Sequence, residues 1–453
     1  MITPTSRTTR SLARCLATAT AAALLLAAGP AMAGTITIVT SFPKDLTQVY
    51  KAAFEKANPD IKVEILNKAT SQGIAYVREL PAGQRPDIFW ASAPDAFEVL
   101  KRDNLLEKAS DLANKDVPAK IGNYAINDPD GRYLGQALGG YGLMWNTRYM
   151  KANKVPPPAE WADLTRAAYF GHVAVSSPSR SGTTHLTVET ILQGEGWDKG
   201  WSQLLEISGN SAQITERSFG VPDGVNNGQF GIGIVVDFFG LSSKYSGFPV
   251  EFVYPTVTAV VPANIGLVSG GKNTAEARKF VSFSLSREGQ QLLLDPKVSR
   301  LPVLPAETLG AKVPADYPKI FEVAKRAKVH FDSNLSESRY YLVSSLFDQT
   351  VTFRHKELQA ATKAIHDAEA ALAKKPNAEG KALVKQARDL AFAPIVNESL
   401  VKDPKFLETF TRNKRDAAVN KEVTGLEDSW NTKARSNYDR ARELAVKAAA
   451  LAR

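Results

Sequence analysis

The chain has 453 residues, 44% of them hydrophobic and 23% charged, and its formal net charge is +9. This length is enough for two or more domains with a large buried core. Because the basic residues are dispersed and mixed with acids throughout, the charge pattern argues against a nucleic-acid partner and suits a small anionic ligand or an anionic envelope surface.

Residues 1–33 have the features of a secretory signal peptide. The start of the leader is basic, Leu12–Ala28 is apolar, and Ala31-Met32-Ala33 is an A-x-A cleavage site, so cutting is expected before Gly34. The leader lacks a paired-arginine motif, which favours the general secretory route. It holds three arginines and no acid, so the mature chain keeps a net charge of +6. We therefore expect export to the periplasm.

The chain has one cysteine, Cys15, which lies inside this leader. It follows Arg14, whereas a lipid-attachment cysteine follows a small residue near the end of a leader, so a lipid anchor is not expected. The absence of further cysteines excludes disulfide bonds, thiol catalysis and cysteine-based metal sites from the mature chain. No later apolar run approaches the ~18 residues that a membrane span needs. The sequence thus predicts a soluble exported protein.

Strand-like and helix-like segments alternate in the first part of the mature chain. The strands are rich in β-branched residues, and the helices carry apolar residues at helical spacing. The β-α-β-α-β-α order predicts a parallel sheet with helices on both faces. The predicted strands are 35–41, 61–66 and 86–90, and the predicted helices are 46–57, 73–80 and 96–100.

Small hydroxyl residues stand where these strands end. Thr40 and Ser41 end the first strand, and Ser92 follows the third. In open α/β sheets, ligands collect at the carboxyl ends of the strands. We therefore predict that Thr40, Ser41 and Ser92 contact a ligand.

A loop rich in hydroxyl groups lies between the short apolar strand Val173–Val175 and the helix-like segment Leu186–Leu192. The loop, Ser176–His185, has the sequence SSPSRSGTTH. The first N–H groups of a helix lack internal partners, and the helix dipole favours negative charge there. The pattern therefore predicts an anion site, although serine and threonine also cap helices that bind nothing.

The side chains of this loop have distinct expected roles. Gly182 lets the backbone approach a ligand closely, the hydroxyl groups donate hydrogen bonds, and Arg180 adds a charge-assisted one. His185 reaches a phosphate in one interpretation and is an ordinary surface or hydrogen-bonded histidine in the other. The predicted ligand-binding residues of the loop are Ser177, Ser179, Arg180, Ser181, Gly182, Thr183 and Thr184.

Three further segments, in this order along the chain, resemble an extracellular solute-binding protein of an ABC-type importer. They are NPDIKVEI, RPDIFWAS and Gly139–Asn146, which follow the leader and the first strand with its terminal hydroxyl residues. The subgroup that the sequence resembles includes ferric-ion, phosphonate, hexose-phosphate and phosphoglycerate binding proteins. The likeness runs from about Thr35 to about Pro305. It implies an ABC-type membrane permease as the partner, no cofactor and no catalysis.

The resemblance implies an α/β protein with the two-lobe, type II periplasmic-binding fold, followed by an all-α C-terminal extension. The first lobe is expected from 34–138 together with 258–310, and the second lobe from 139–257. Two crossing segments form the hinge, and the ligand is captured between the lobes. Tyr141 in the first crossing and Asp237 at the end of a second-lobe strand are expected near the organic part of the ligand.

Residues 311–453 differ in composition from the rest of the chain. Glycine is scarce, alanine and charged residues dominate, and apolar residues such as Leu342, Leu346 and Phe347 recur at helical spacing. We predict four or five helices packed on the lobes. The extension either is structural and buries part of the first lobe, or it presents a contact surface to a membrane partner such as a sensor.

Iron binding by the ligands usual in this family is not expected. Ferric-ion binders of the family hold the metal with paired tyrosines at the end of the second-lobe strand, plus histidine and glutamate. Here that position is Phe238-Phe239, and Ser41-Phe42 stands where the histidine is expected. A ferric site with other ligands remains an alternative. The two phenylalanines are interpreted either as core packing or as a wall for an organic ligand.

The motifs of common hydrolases and nucleotide-binding enzymes are absent from the sequence. It contains no G-x-S-x-G elbow, no P-loop lysine pattern and no metal-binding histidine spacing. Ser179 and Ser181 lie close to His185 in sequence, which keeps an exported phosphate-ester hydrolase as the alternative of a different class. The prediction is a binding protein without metal or cofactor. It captures a small anionic solute, phosphorylated or phosphonate-bearing, for an ABC transporter or an associated sensor.

Overall fold

The computed structural model describes Met1 and residues 34–310, 316–411 and 417–452. The predicted leader falls on residues outside these ranges, so the signal peptide stays a prediction.

The first three strands are parallel and are connected by helices, as the sequence predicted. Thr40 at the end of the first strand lies opposite Asn67 of the second and Trp90 of the third, so the three carboxyl ends share one edge of the sheet. The elements are β1 (Gly34–Thr40), α1 (Lys44–Ala57), β2 (Ile61–Asn67), α2 (Thr70–Glu79), β3 (Ile88–Ala91) and α3 (Pro94–Arg102).

A long strand then carries the chain from one half of the sheet to the other. A small hairpin of β4 (Lys120–Ile121) and β5 (Tyr124–Ala125) precedes this strand, β6 (Leu134–Asn146). The residues of β6 are buried almost throughout, as expected for a strand at the centre of a sheet.

The segment after β6 builds the second half of the sheet. Here β7 pairs in parallel with both β8 and β9, and β9 pairs antiparallel with the later part of β6. The elements are α4 (Thr147–Asn153), β7 (Val173–Ser176), α5 (Gly182–Glu195), α6 (Trp197–Asn210), β8 (Ser211–Thr215), α7 (Gly220–Asn226), β9 (Ile232–Val236) and α8 (Asp237–Tyr245).

The chain then returns to the first half. β11 lies antiparallel between β3 and the early part of β6. The sheet order is β2-β1-β3-β11-β6-β9-β7-β8, with β10 and β12 also paired to β6. The elements are β10 (Val250–Val253), β11 (Val260–Leu267), α9 (Thr274–Leu285), α10 (Arg287–Leu292) and β12 (Leu301–Pro302).

We call β1–β3, β11 and the helices packed on them the first lobe, and β7–β9 with their helices the second lobe. β6 pairs with strands of both lobes. The residue boundaries expected from the sequence, 34–138 with 258–310 and 139–257, stay a prediction.

Eight helices follow in the described part of the C-terminal extension, so the predicted number of four or five is wrong. The shortest helices have six and four residues, which is too few to leave a periodic apolar stripe in the sequence. The helices are α11 (Ile320–Arg326), α12 (Ser333–Ser338), α13 (Tyr340–Thr350), α14 (His355–Lys374), α15 (Ala378–Phe392), α16 (Glu398–Val401), α17 (Pro404–Thr411) and α18 (Ala417–Ala450).

Most of the extension packs on the second lobe. Leu342, Leu346 and Phe347 are buried, as the apolar stripe in the sequence required. They belong to one continuous apolar core with Trp201 of α6 and the β7–β9 strands. The sequence led us to expect that the extension buries part of the first lobe. In the structure it mainly buries the second lobe.

Helices α12 and α13 contact both lobes. Ser336 Oγ donates to Asp95 Oδ2 of the first lobe at 2.8 Å. Arg339 forms a buried bidentate pair with Glu189 of the second lobe, with N–O distances of 2.9 and 2.7 Å. Asp95 Oδ2 also lies 2.7 Å from Nδ1 of His185, a second-lobe residue. Asp95 thus joins both lobes and the extension.

Candidate ligand-binding site

The hydroxyl-rich loop ends at the start of α5, as predicted. Ser181 caps this helix, because its Oγ accepts the N–H of Thr184 at 3.2 Å. The same oxygen lies 2.8 Å from the Thr183 hydroxyl, which is partly exposed. The helix is buried along most of its length, so its N-terminus is fixed relative to the sheet.

Gly182 packs directly against the first lobe. Its N–H donates to Thr70 Oγ1 at 3.0 Å. A Cβ added at Gly182 would stand 2.6 Å from the Cβ of Ala93, which is too close for two non-bonded carbon atoms. Ser71 also donates a hydrogen bond to the carbonyl oxygen of Ser179. The loop of the second lobe and the strand ends of the first lobe therefore meet face to face.

Two loop residues are held by other protein groups. Ser177 Oγ donates to Asp348 Oδ1 of α13 at 2.6 Å and lies 2.8 Å from Ser179 Oγ. Arg180 pairs with Glu216. The free donors that the sequence assigned to Ser177 and Arg180 are therefore occupied in this structure.

The predicted strand-end residues lie at the same edge. Thr40 is buried, and its Oγ1 accepts the N–H of Phe42 at 3.1 Å. Ser92 is also buried, whereas Ser41 is partly exposed. Tyr141 of β6 is fully buried; burial raises its pKa well above the ordinary value, and the carboxylates of Asp95 and Asp237 raise it further. Its phenol is therefore a neutral hydrogen-bonding group.

Asp237 starts α8, where the sequence expected the end of a strand. Its Oδ2 accepts the N–H of Gly140 at 2.7 Å and the hydroxyl of Tyr254 at 2.9 Å, and its Oδ1 accepts the N–H of Phe238 at 2.7 Å. Burial raises its pKa to about 7, although these hydrogen bonds and the charge of Arg300 act in the opposite direction. The carboxyl group thus has three protein donors and titrates near neutrality.

We expect Asp237 to lower the free energy of unfolding as the pH rises from about 4 to about 7. In this interval the folded protein binds the proton more tightly than the unfolded chain, so the contribution is fully present below the unfolded pKa and is lost as the pH rises. Each unit of pKa difference corresponds to about 1.4 kcal/mol.

Urea unfolding at pH 5 and pH 8 measures the loss. Asp237→Asn should reduce it, whereas Asp428→Asn, at an exposed position, should not. Equal pH slopes in parent and Asp237→Asn would contradict the assignment.

His185 is fully buried between the lobes. Its Nδ1 lies 2.7 Å from Asp95, its ring lies 4.2 Å from that of Tyr340, and its Nε2 has no hydrogen-bond partner among the described residues. The hydroxyl groups of Ser179 and Ser181 bond elsewhere. In the described part of the chain no serine is hydrogen-bonded to this ring, so a serine–histidine pair for hydrolysis is not formed.

A cleft of about 670 Å³ opens beside this edge, with walls from both lobes. Phe238 and Phe239 line it and also belong to the buried apolar core of the second lobe, so the structure is compatible with both interpretations of these residues, core packing and a wall for an organic ligand. Its other lining residues include Lys44, Asn67, Lys297 and Arg300.

Sequence reasoning missed Arg300. Its side chain is only 2% exposed, and its guanidinium lies over the rings of Phe42 and Phe238, with distances of 4.3 and 3.5 Å to the ring centroids. Burial lowers its pKa to about 9, although the charge of Asp237 acts against this shift. The signal in the sequence was an arginine inside the apolar segment Val298–Leu304.

A resident metal and a membrane span find no support in the described residues. No group of three or more histidine, cysteine, aspartate or glutamate side chains is placed to hold a metal ion in these ranges. None of the helices described is long and apolar enough to cross a membrane.

The two lobes and the cleft between them define the class: a two-lobe binding protein of the type II periplasmic fold, with a helical C-terminal extension. The family model of bacterial extracellular solute-binding proteins matches residues 83–327, and the chain belongs to this family. The predicted fold class and family are therefore confirmed, and membership of the family makes this an exported solute-binding protein.

The chain is similar to the phosphoglycerate transport regulatory protein PgtC of Salmonella typhimurium. The two are 31% identical over 353 residues, which cover 77% of this chain and 84% of the relative. The structure of AfuA from Actinobacillus pleuropneumoniae, with fructose 6-phosphate bound, has a TM-score of 0.62 at 19% identity and covers 70% of this chain and 99% of its own. The periplasmic binding protein P5PA has a TM-score of 0.59 at 18% identity, with 69% and 98% covered. At these identities the solved structures show the fold alone.

Proposed function

We propose that this protein captures a small phosphorylated or phosphonate-bearing anionic solute in the periplasm by closing its lobes, and passes it to an ABC-type permease. One observation carries the proposal. The hydroxyl-rich N-terminus of α5 packs at contact distance against the strand ends of the first lobe, with Gly182 against Thr70 and Ala93. The dipole of a helix N-terminus favours an oxyanion, and this N-terminus lies where the two lobes meet, with the Thr183 side chain partly exposed.

The names of two similar proteins support a phosphorylated ligand. PgtC is named for phosphoglycerate transport, and AfuA is described with fructose 6-phosphate bound. Iron-bound HitA from Pseudomonas aeruginosa shares the fold, with a TM-score of 0.55 at 17% identity. Phe238 and Phe239 lack lone pairs for a metal, so no specific observation favours the ferric alternative.

In the proposal, the phosphoryl or phosphonate group lies on the loop Ser177–Thr184. Ser177 and Arg180 are bonded to Asp348 and Glu216. The N–H groups of Gly182 and Thr184 are likewise bonded, to Thr70 and Ser181. We therefore expect the most direct contact from Thr183, whose side chain is partly exposed. The hydroxyl groups of the first lobe meet the same ligand, and the organic part lies beside the β6 and α8 residues. These residues are Thr40, Ser41, Ser92, Tyr141 and Asp237.

Thr183→Ala is expected to weaken binding of a phosphorylated solute by about one to two powers of ten. The reason is the loss of a hydrogen bond to a charged group, which contributes roughly 1.5–3 kcal/mol. Ser181→Ala should weaken binding similarly and, in addition, cost about 0.5–2 kcal/mol of stability, because it removes the cap of α5. Titration calorimetry with 3-phosphoglycerate, fructose 6-phosphate, 2-aminoethylphosphonate and Fe(III) measures the effect.

The control for this experiment is Thr308→Ala, which removes an exposed hydroxyl group far along the chain. Unchanged affinity of Thr183→Ala for every phosphorylated probe would contradict the site. Binding of Fe(III) alone to the parent protein would contradict the proposed function.

The extension is proposed to be the part of the protein that a membrane sensor recognises, beside its structural role on the second lobe. This proposal rests on the name of PgtC as a transport regulatory protein. Crosslinking of the exported protein to membrane proteins, with and without residues 404–453, tests it: a sensor captured equally well without these residues would exclude this surface.

A further inference from the structure

Arg300 is a buried cation that no described protein group neutralises by contact. The guanidinium carries five N–H donors, and the contacts that the described residues make with it are with the rings of Phe42 and Phe238, not with an acceptor oxygen. Burying such a charge without a partner is costly, and folded proteins pair nearly all of them. Arg300 therefore differs from most buried charged residues.

Asp237, the acid with the largest electrostatic effect on Arg300, is not its hydrogen-bond partner. The charge of Asp237 acts on Arg300, but both carboxylate oxygens already accept hydrogen bonds from Gly140, Phe238 and Tyr254. The carboxyl group is also half neutral near pH 7, because its pKa is raised to about 7 by burial. The nearby charge of Asp237 therefore helps to stabilise the charge of Arg300, but Asp237 does not accept a hydrogen bond from the guanidinium.

Two aromatic rings from different lobes lie against Arg300. Phe42 comes from the first lobe and Phe238 from the second, and their ring centroids lie 4.3 and 3.5 Å from the guanidinium carbon. The N–H groups point outward in the guanidinium plane, where a carboxylate or phosphoryl group binds through two parallel hydrogen bonds. A pair of rings from different lobes fixes this plane when the lobes are together.

Arg300 also lines the interlobe cleft of about 670 Å³. Lys44 and Lys297 line the same cleft with two acids, Asp45 and Asp223, so its lining carries a net positive charge. A cavity of this size, with aromatic walls and a few fixed polar groups, is typical of a small-molecule site.

We propose that Arg300 contacts the solute directly and binds one of its oxyanionic groups, a carboxylate or a phosphoryl group, in the cleft between Phe42 and Phe238. This inference deepens the proposed function and rests on it. It adds an anion position in the cleft that is distinct from the N-terminus of α5, whose residues are not among those that line this cleft.

The test compares the parent protein with Arg300→Met and Arg300→Lys by titration calorimetry. The probes are 3-phosphoglycerate, glycerol 3-phosphate, which lacks the carboxylate, and glycerate, which lacks the phosphoryl group. Arg300→Met should lower affinity for 3-phosphoglycerate by about 30-fold or more, since it removes a paired set of charge-assisted hydrogen bonds. Arg300→Lys keeps the charge without the planar fork and should lose about tenfold. Arg442→Met, at an exposed position of α18, is the matched control.

The stability of the ligand-free protein distinguishes a binding role from a structural one. Methionine fits between the two rings and removes an unpaired buried charge, so Arg300→Met should melt at the same temperature as the parent or higher. Should this variant fail to fold, the comparison of Arg300→Lys with the parent decides.

Each outcome assigns the role of Arg300 or excludes it. Loss of affinity for glycerol 3-phosphate places the phosphoryl group at Arg300, and loss for glycerate alone places the carboxylate there. Parent-like affinity of Arg300→Met for all three probes overturns the inference and leaves the proposed function intact. A parent protein that binds none of these probes, and neither fructose 6-phosphate nor 2-aminoethylphosphonate, overturns the proposed function and this inference with it.

Discussion

Replacing Gly182 with valine should reduce affinity for a phosphorylated solute by at least about 100-fold, the largest effect on binding that we expect from a single substitution. The first added atom would already lie 2.6 Å from Ala93 Cβ and 2.9 Å from Thr70 Oγ1. Neither neighbour is the far end of a flexible side chain, so the lobes must separate at this point.

Calorimetry with 3-phosphoglycerate measures the loss of affinity, and small-angle X-ray scattering measures the separation of the lobes. Gly425→Val is the matched control, because a Cβ at Gly425 meets nothing within 4 Å. If Gly182→Val kept the affinity and compactness of the parent, the contact between α5 and the first lobe would play no part in binding.

Arg339→Leu should destabilise the protein by about 3–5 kcal/mol, the largest effect on stability that we expect. Glu189 is completely buried and Arg339 is 6% exposed, so the substitution leaves an unpaired carboxylate in the interior. Burial by itself would raise the pKa of Glu189, but the charge and hydrogen bonds of Arg339 outweigh burial and hold this pKa below its ordinary value. Urea unfolding at pH 7 measures the difference.

The pairing of Glu189 with Arg339 has two further consequences for this experiment. In the parent protein the pair stabilises the fold above the unfolded pKa of glutamate, and its contribution is lost as the pH falls through the lower folded pKa. In Arg339→Leu the carboxyl group can be protonated, so the deficit should shrink at acid pH. The double variant Glu189→Leu, Arg339→Leu should recover most of the stability. A deficit that persisted in the double variant would mean that packing, and not charge, is responsible.

The sequence predicted best those features that depend on neighbouring residues. Strands such as Ile61–Asn67 and the cap at Ser181 follow from β-branched composition and from a hydroxyl residue before a helix. Local patterns of this kind also located the loop before α5. The contacts of that loop depend on residues far away in the chain: Ser177 meets Asp348, 171 residues later.

The most informative residue of the cleft has no local signature. Arg300 is surrounded by Phe42 and Phe238, and the three residues are distant from one another in the sequence. From the sequence, Phe238 and Phe239 indicated either core packing or a wall, and the arginine was marked only by its place in an apolar segment. Its significance arises from burial without a partner, which is a property of the folded chain.

The bridge formed by α12 and α13 changes how the cleft can open. The extension shares an apolar core and the Glu189–Arg339 pair with the second lobe. It also contacts the first lobe, where Tyr340 belongs to the apolar core and Ser336 donates to Asp95. Separation of the lobes must therefore break contacts of the extension with one lobe, in addition to the contact between Asp95 and His185. We expect these contacts to raise the population of the closed form before any solute arrives, and a larger closed population lowers the apparent dissociation constant in proportion. On this expectation, a helix that does not line the cleft contributes to the affinity for the solute.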